Sequence, residues 1–319
     1  MVIPETQVEF LRLSRDHSAL AAQSCADVKF WERNMRGFIG ATALLCAISL
    51  SSIAPAQSTA SDNGCGEVVT IESHRGTKTR YALARPKPAS GARVALILLA
   101  GGSGHVNLGD RGCAQALRGN SLVRSIAQFH DLGFITALVD APSDHHGEDG
   151  LAGFRGTIEH AQDLSRVLAD LRARTGAQIW VVGTSRGAIS AVNVAAHLVG
   201  PTGPDGLVIT SALMSGPIAA RKSWGSQTVF DHPLEAIRIP VLIVGHVADS
   251  CIRSPAVLMD KVAARTNGVR EQVVVITGGP TGRVIPSVDA CEGRSPHGFI
   301  EQELEVATGI ARFIRGGRF

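Results

Sequence analysis

The pentapeptide Gly183-Thr184-Ser185-Arg186-Gly187 constrains this chain more than any other stretch. It follows the apolar run Gln178 to Val182 and precedes a run of helical character, which makes it read as strand, sharp turn and helix. Glycines two before and two after the serine let the turn be tight, because a side chain at either position would strike the neighbouring strand or helix. The serine then stands exposed above the sheet edge. A chain with 35 glycines spells such a pattern by accident often enough that the strand-turn-helix context has to carry the weight.

The start of the chain reads as export machinery. Met35-Arg36 opens a segment with Lys29, Arg33 and Arg36 as its basic region, an apolar core from Phe38 to Leu50, and Ala54-Pro55-Ala56 as a cleavage site before Gln57. That core is too short to cross a bilayer, which needs ~20 residues. Residues 35–56 are thus expected to be a signal peptide, and 1–34 an upstream extension or a long basic region ahead of it. The competing reading is an uncleaved membrane anchor. Lipid attachment at Cys46 is disfavoured by Leu45, which stands where a small residue is needed. The expected destination is the periplasm or the exterior, with no stable membrane span after cleavage.

Removing residues 1–56 takes away equal numbers of basic and acidic side chains and leaves the net charge at +3. Near balance, without a basic run or interleaved aromatics, argues against nucleic acid as a partner. Four cysteines remain, Cys65, Cys113, Cys251 and Cys291, an even number in a chain sent to an oxidising compartment, so two disulfides are expected.

From residue 57 onward two short strand-like runs, Val68 to Ile71 and Tyr81 to Ala84, suggest an opening hairpin. Apolar strands and periodic helices then alternate. Strands are expected at Val94 to Leu99, Phe134 to Val139, Gln178 to Val182, Leu207 to Ile209, Val241 to Val244 and Val273 to Ile276. Helices are expected near Ser121 to Leu132, Thr157 to Arg174, Ala188 to Leu198 and Phe299 to Ile314. In the second of these, Ile158, Ala161, Leu164, Val167, Leu168 and Leu171 share one face. Continuous apolar strands alternating with helices imply an α/β class, a doubly wound, mostly parallel sheet covered on both faces. Residues 57–319 are read as a single domain.

Ligands of such sheets bind beyond the carboxyl ends of the strands. After Leu99 comes Ala100-Gly101-Gly102-Ser103-Gly104-His105, whose N–H groups can face a developing oxyanion together with that of Arg186. A plain turn is the bland reading. A dinucleotide loop is a weak rival, since the sixth position of the glycine pattern is Asn107. After Val244 comes Gly245-His246-Val247-Ala248-Asp249, and ahead of the last helix comes Ser295-Pro296-His297-Gly298-Phe299. A carboxylate that accepts the Nδ1–H of a histidine fixes its tautomer for taking a serine proton. The chain order is serine, acid, histidine.

These four segments, GTSRG at 183–187, AGGSG at 100–104, GHVAD at 245–249 and SPHGF at 295–299, resemble those of the α/β-hydrolase family, and the resemblance spans about Val68 to Phe319. It implies an α/β-hydrolase fold without a large cap domain, with Ser185 as nucleophile, His297 as base and acid, Asp249 as the orienting carboxylate, and Gly102 or Ser103 with Arg186 as oxyanion donors. Many members have histidine before the oxyanion glycine, where this chain has Ala100, so the donor within 101–103 stays open. Asp289 is the alternative acid.

Other residues are weighed beside these. His145-His146-Gly147-Glu148-Asp149 lies near the expected site, but adjacent histidines usually point apart, and no metal or cofactor is expected. His246 reads as a packed histidine. Between Leu213 and Ile239 there is room for about one helix, so the site should be open, with Met214, Trp224 and Phe230 as candidate lining. The favoured disulfides are Cys251 with Cys291, which would fasten the acid loop to the histidine loop, and Cys65 with Cys113. The expectation is an exported serine hydrolase acting through an acyl-enzyme on the ester or related acyl bond of a small-molecule or polymer substrate. The alternatives are a peptidase, thioesterase or acyltransferase with the same triad, or a non-enzymatic binding protein on the same scaffold. Oligomeric state is not legible.

Overall fold

The apolar runs form the strands of one eight-stranded sheet: β1 Glu67–Glu72, β2 Lys78–Ala84, β3 Val94–Leu99, β4 Ile135–Val139, β5 Gln178–Thr184, β6 Gly206–Thr210, β7 Val241–His246 and β8 Glu271–Ile276. The computed structural model describes residues 65–87, 91–217 and 222–319; the upstream extension and the signal segment expected at 1–56 lie outside them. Strand order is β1-β2-β4-β3-β5-β6-β7-β8. The first two strands form the antiparallel hairpin, β2 runs antiparallel to β4, and every later pairing is parallel.

Burial explains the layering. Along β3, Ala95, Ile97 and Leu99 face one apolar cluster while Leu96 and Leu98 face the other, which is the period of a strand covered on both sides. The first cluster is closed by α3 (Ile158–Thr175), α4 (Gly187–His197) and α5 (Met259–Ala263), the second by α1 (Ser121–Arg124), α2 (Ile126–Asp131) and α6 (Glu303–Ile314). In α3 the Thr157 side chain caps the first turn by accepting from His160 N–H at 3.2 Å, and Gly176 ends the helix in a left-handed conformation at φ 62°. Its buried face carries Ala161, Leu164, Val167, Leu168 and Leu171. Ile158, expected on that face, is exposed.

Two further expectations are corrected. The single helix read over Ser121 to Leu132 is two short ones, divided at Ser125, whose φ of −90° and ψ of 3° depart from the helix. The last helix starts at Glu303 rather than Phe299, because Phe299 and Glu301 adopt φ of 52° and 64° and cannot join it. The topology, an α/β-hydrolase fold, gathers the ends of β3, β5 and β7 and the loop before α6 on one edge of the sheet. The glycine pattern after β3 forms a tight turn closed by Gly104 N–H to Gly101 C=O at 3.1 Å, and the next helix begins only at Ser121, so it is no dinucleotide loop. No helix among the described residues is long and apolar enough to cross a membrane.

Candidate active site

Ser185 follows directly on β5 at φ 52°, a left-handed conformation that a non-glycine residue adopts only when its surroundings impose it. They do. Its N–H donates to Thr210 C=O at 2.9 Å, and Ala188 N–H donates back to Ser185 C=O at 3.1 Å. A Cβ at Gly183 would stand 2.4 Å from Gly187 C=O, and one at Gly187 only 2.0 Å from Leu99 C=O. Both glycines are therefore required by close approach of backbone to backbone. The turn delivers Ser185 to a cleft it shares with Gly101, Gly102, Asn120 and His297.

Asp249 lies just past β7. Its Oδ1 accepts Cys251 N–H at 2.8 Å, and its Oδ2 accepts both the Ser254 hydroxyl at 2.8 Å and His297 Nδ1–H at 2.9 Å. The two side chains are 2 % and 3 % exposed, so this is a bond in a water-poor setting. With Nδ1 committed to Asp249, Nε2 of His297 carries the free lone pair. That nitrogen is buried without a hydrogen-bond partner. No hydrogen bond joins Ser185 to His297 among the described residues; contacts of this kind are often long before substrate is in place and tighten with it. Asp289, the alternative acid, is exposed.

Three residues that hold this arrangement escaped sequence reasoning. Ser254 contacts both partners of the pair, at 2.8 Å from Asp249 Oδ2 and 3.0 Å from His297 Nδ1. Arg124, on α1, donates to Gly293 C=O at 2.6 Å and Gly298 C=O at 2.7 Å and pairs with Glu303 at 2.8 Å, bracketing the loop that carries His297. Arg155 is fully buried and donates to Ala100 C=O at 3.0 Å and the Ser190 hydroxyl at 2.8 Å, tying the glycine-rich loop to α4. Burial first, and then the charge of Arg186, lowers its pKa to about 9. None belongs to a motif, and each makes at least one contact across a long sequence separation.

The glycine-rich loop meets Ser185 closely. A Cβ at Gly101 would lie 2.8 Å from Ser185 Cβ, so only glycine lets the two segments approach. Gly102, like Ser185, lines both the cleft shared with His297 and a second one, which Ser103 and Arg186 also line. That second cleft, of about 260 Å³, also holds Glu148, Asp149, Trp224 and Arg253. The Arg186 guanidinium lies over the Trp224 ring, 4.7 Å from its centroid, and burial lowers its pKa.

Two expectations about the lining are corrected. Met214 is 3 % exposed in the core beneath the sheet edge, because its N–H is drawn to Arg253 C=O at 2.8 Å. Phe230 packs against that same core with Arg265 over its ring at 5.7 Å and is absent from both clefts. Trp224 alone of the three lines the cleft. His246 is a packed histidine, bonded to Gln302 at 2.8 Å and accepting Ala248 N–H at 3.0 Å. The cysteines pair as Cys65 with Cys113 and Cys251 with Cys291. His145 and His146 diverge: one bonds Gly150 C=O and the other Ala141 C=O, each at 3.1 Å.

No family model matches the chain, and no curated protein matches it in sequence. Among solved structures it is similar to Est1E from Butyrivibrio proteoclasticus, at 15% identity and a TM-score of 0.53 over 79% of this chain and 98% of that one. It is similar to the esterase Pf2001 of Pyrococcus furiosus, at 15% identity and 0.52 over 79% and 92%. DcsB, in complex with its substrate analogue, gives 14% and 0.54 over 79% and 98%. At these identities the likeness is one of fold.

Proposed function

We propose that this chain is a serine hydrolase that cleaves carboxylic esters through an acyl-enzyme, exported after loss of its leader. The observation that carries the reading is the buried Asp249–His297 bond, which leaves Nε2 without a partner in a residue that lines the same cleft as a serine held in a left-handed turn. In the proposed reaction His297 Nε2 takes the Ser185 proton as Oγ bonds to the substrate carbonyl carbon, and Asp249 stabilises the imidazolium. The negative charge moves to the carbonyl oxygen, met by N–H groups from residues 101–103 and Arg186. His297 returns the proton to the departing alkoxide, and water repeats the sequence to release the acid. Two disulfides among the described residues support an oxidising destination.

Esterases among the structures of similar fold favour a small ester as first substrate. Arg186, whose guanidinium donates no hydrogen bond among the described residues, favours one with an anionic group near the ester. The deciding experiment is reaction with a fluorophosphonate followed by peptide mapping. Label on Ser185 is expected. A folded protein that takes no label there would favour a binding protein on a hydrolase scaffold.

A further inference from the structure

We propose that His74, Asp144 and His145 form a binding site for one divalent transition-metal ion of the zinc class, away from the Ser185 clefts. The three donor atoms lie within 4.8 Å of one another. His74 Nε2 is 3.0 Å from Asp144 Oδ2, and His145 Nε2 is 3.9 Å from the same oxygen. Two imidazoles and a carboxylate are a common three-ligand set for zinc, with the fourth position left for water.

What separates this group from a chance cluster is how the far side of each ring is held. His74 Nδ1 contacts Asp163 Oδ2 at 2.5 Å, and its backbone N–H donates to Asp163 Oδ1 at 2.8 Å. Asp163 sits on α3 at 2 % exposure, anchored further by Arg166 at 2.7 Å. A buried carboxylate behind one ring nitrogen, with the other nitrogen turned outward, is the arrangement that orients metal-binding histidines. In His145 the bond to Gly150 C=O at 3.1 Å requires the proton on Nδ1, so in the neutral ring Nε2 presents a lone pair toward Asp144. Phe154 fixes both rings, with centroids 4.7 Å from His74 and 4.3 Å from His145. A proton on His74 Nε2 joins it to Asp144 Oδ2 at 3.0 Å, while His145 Nε2 stands 3.9 Å from the same oxygen. That proton serves one nitrogen only. A metal ion in its place would join both nitrogens to the carboxylate.

The neighbouring group His105, Asp140 and His146 has the same composition and fails the same criterion. Asp140 spends its oxygens on Val106, Leu108 and Ala141 N–H at 2.8 to 2.9 Å and on the His105 ring at 3.0 Å. His146 donates Nε2–H to Ala141 C=O, and the two rings stack at 4.1 Å. Asp249, Cys251 and His297 also lie close, but Cys251 is in a disulfide and the other two are bonded to each other. The proposed site joins the β1–β2 connection to the segment 143–150, whose Glu148 and Asp149 line the second cleft. It is reachable from solvent through Asp144 and His145, whose side chains are 44 % and 24 % exposed.

The test is calorimetric titration of the untagged, metal-stripped protein with zinc chloride, read beside its melting temperature. One equivalent is expected to bind and to raise the melting temperature, since an ion that binds only the folded state stabilises it. His145→Ala and Asp144→Asn are expected to weaken binding by more than ~10-fold and to remove the thermal shift. Both sit at accessible positions where folding should survive, unlike His74. His146→Ala is the control and is expected to bind as the parent does. No binding by the parent overturns the proposal. So does undiminished binding by His145→Ala, or an equal loss in His146→Ala, and each reads independently of esterase activity.

Discussion

Ser185 keeps a φ of 52° that costs a non-glycine residue of order 1–3 kcal/mol. Ser185→Ala retains that Cβ and removes only Oγ, so a melting temperature close to the parent's is expected while turnover of a p-nitrophenyl ester disappears. Activity above a few per cent of the parent would remove the nucleophile assignment. For Asp249→Asn the carboxamide cannot play the carboxylate's part toward Nδ1–H, and kcat is expected to fall ~10⁴-fold. Ser254 gives a finer test. Its hydroxyl donates to Asp249 and touches His297, so it is a positioning residue for the pair. Ser254→Ala is expected to lower kcat ~10-fold, the share of about one hydrogen bond to a charged group, with KM unchanged, and Ser254→Thr is expected to restore part of it. An equal loss in a variant that raises KM instead would assign Ser254 to substrate binding.

Among the elements, the two disulfides differ in what they hold. Cys251 is two residues past Asp249 and Cys291 six before His297, and their bond closes a separation of 40 residues. It is expected to stabilise the fold by about 2–4 kcal/mol. Because it fastens the acid loop to the histidine loop, the double replacement Cys251→Ala with Cys291→Ala should lower kcat at temperatures where circular dichroism still reports a folded domain. Cys65→Ala with Cys113→Ala should lower the melting temperature with kcat unchanged. Loss of activity that only tracks unfolding in both pairs would sever the link between disulfide and site. The strands and their strand-end residues were legible because a sheet buried on both faces demands continuous apolar runs, and because the turn at Ser185 demands glycine at 183 and 187. The start of α6 was not, since nothing in Phe299-Ile300-Glu301 announces two left-handed residues. Nor were Ser254, Arg124, Arg155 or the partnership of His74 with Asp163, whose roles arise from contacts across the fold. Met214 and Phe230 were misread for the same reason: hydrophobicity says that a side chain is buried, and topology alone says where.

At the scale of the whole molecule the buried histidines govern response to acid. His232 is 4 % exposed, its Nε2 has no hydrogen-bond partner, and His197 meets it edge-on at 5.9 Å. Burial first, and the neighbouring His197 charge second, push its pKa down to about 4, while Asp231 opposes them weakly. His160 is shifted the same way, lowered by burial and then by the Arg155 charge. In the unfolded chain each returns to ~6.5. Between that value and the depressed one the unfolded state binds more protons than the folded state, so stability falls as pH falls. The slope contributed by one such group is at most ~1.4 kcal/mol per pH unit. His130 is lowered by burial as well, whereas His74, where burial is outweighed by the bonds to Asp163 and Asp144, is raised and gains stability as pH falls. With three histidines lowered and one raised, the melting temperature is expected to decline from pH 7 toward pH 5, in a window where carboxylates hardly titrate. His232→Leu removes one of the three lowered groups and keeps an apolar side chain in the same space, so its melting temperature should decline less over that interval. Parallel curves for the variant and the parent would mean that His232 does not take up its proton on unfolding.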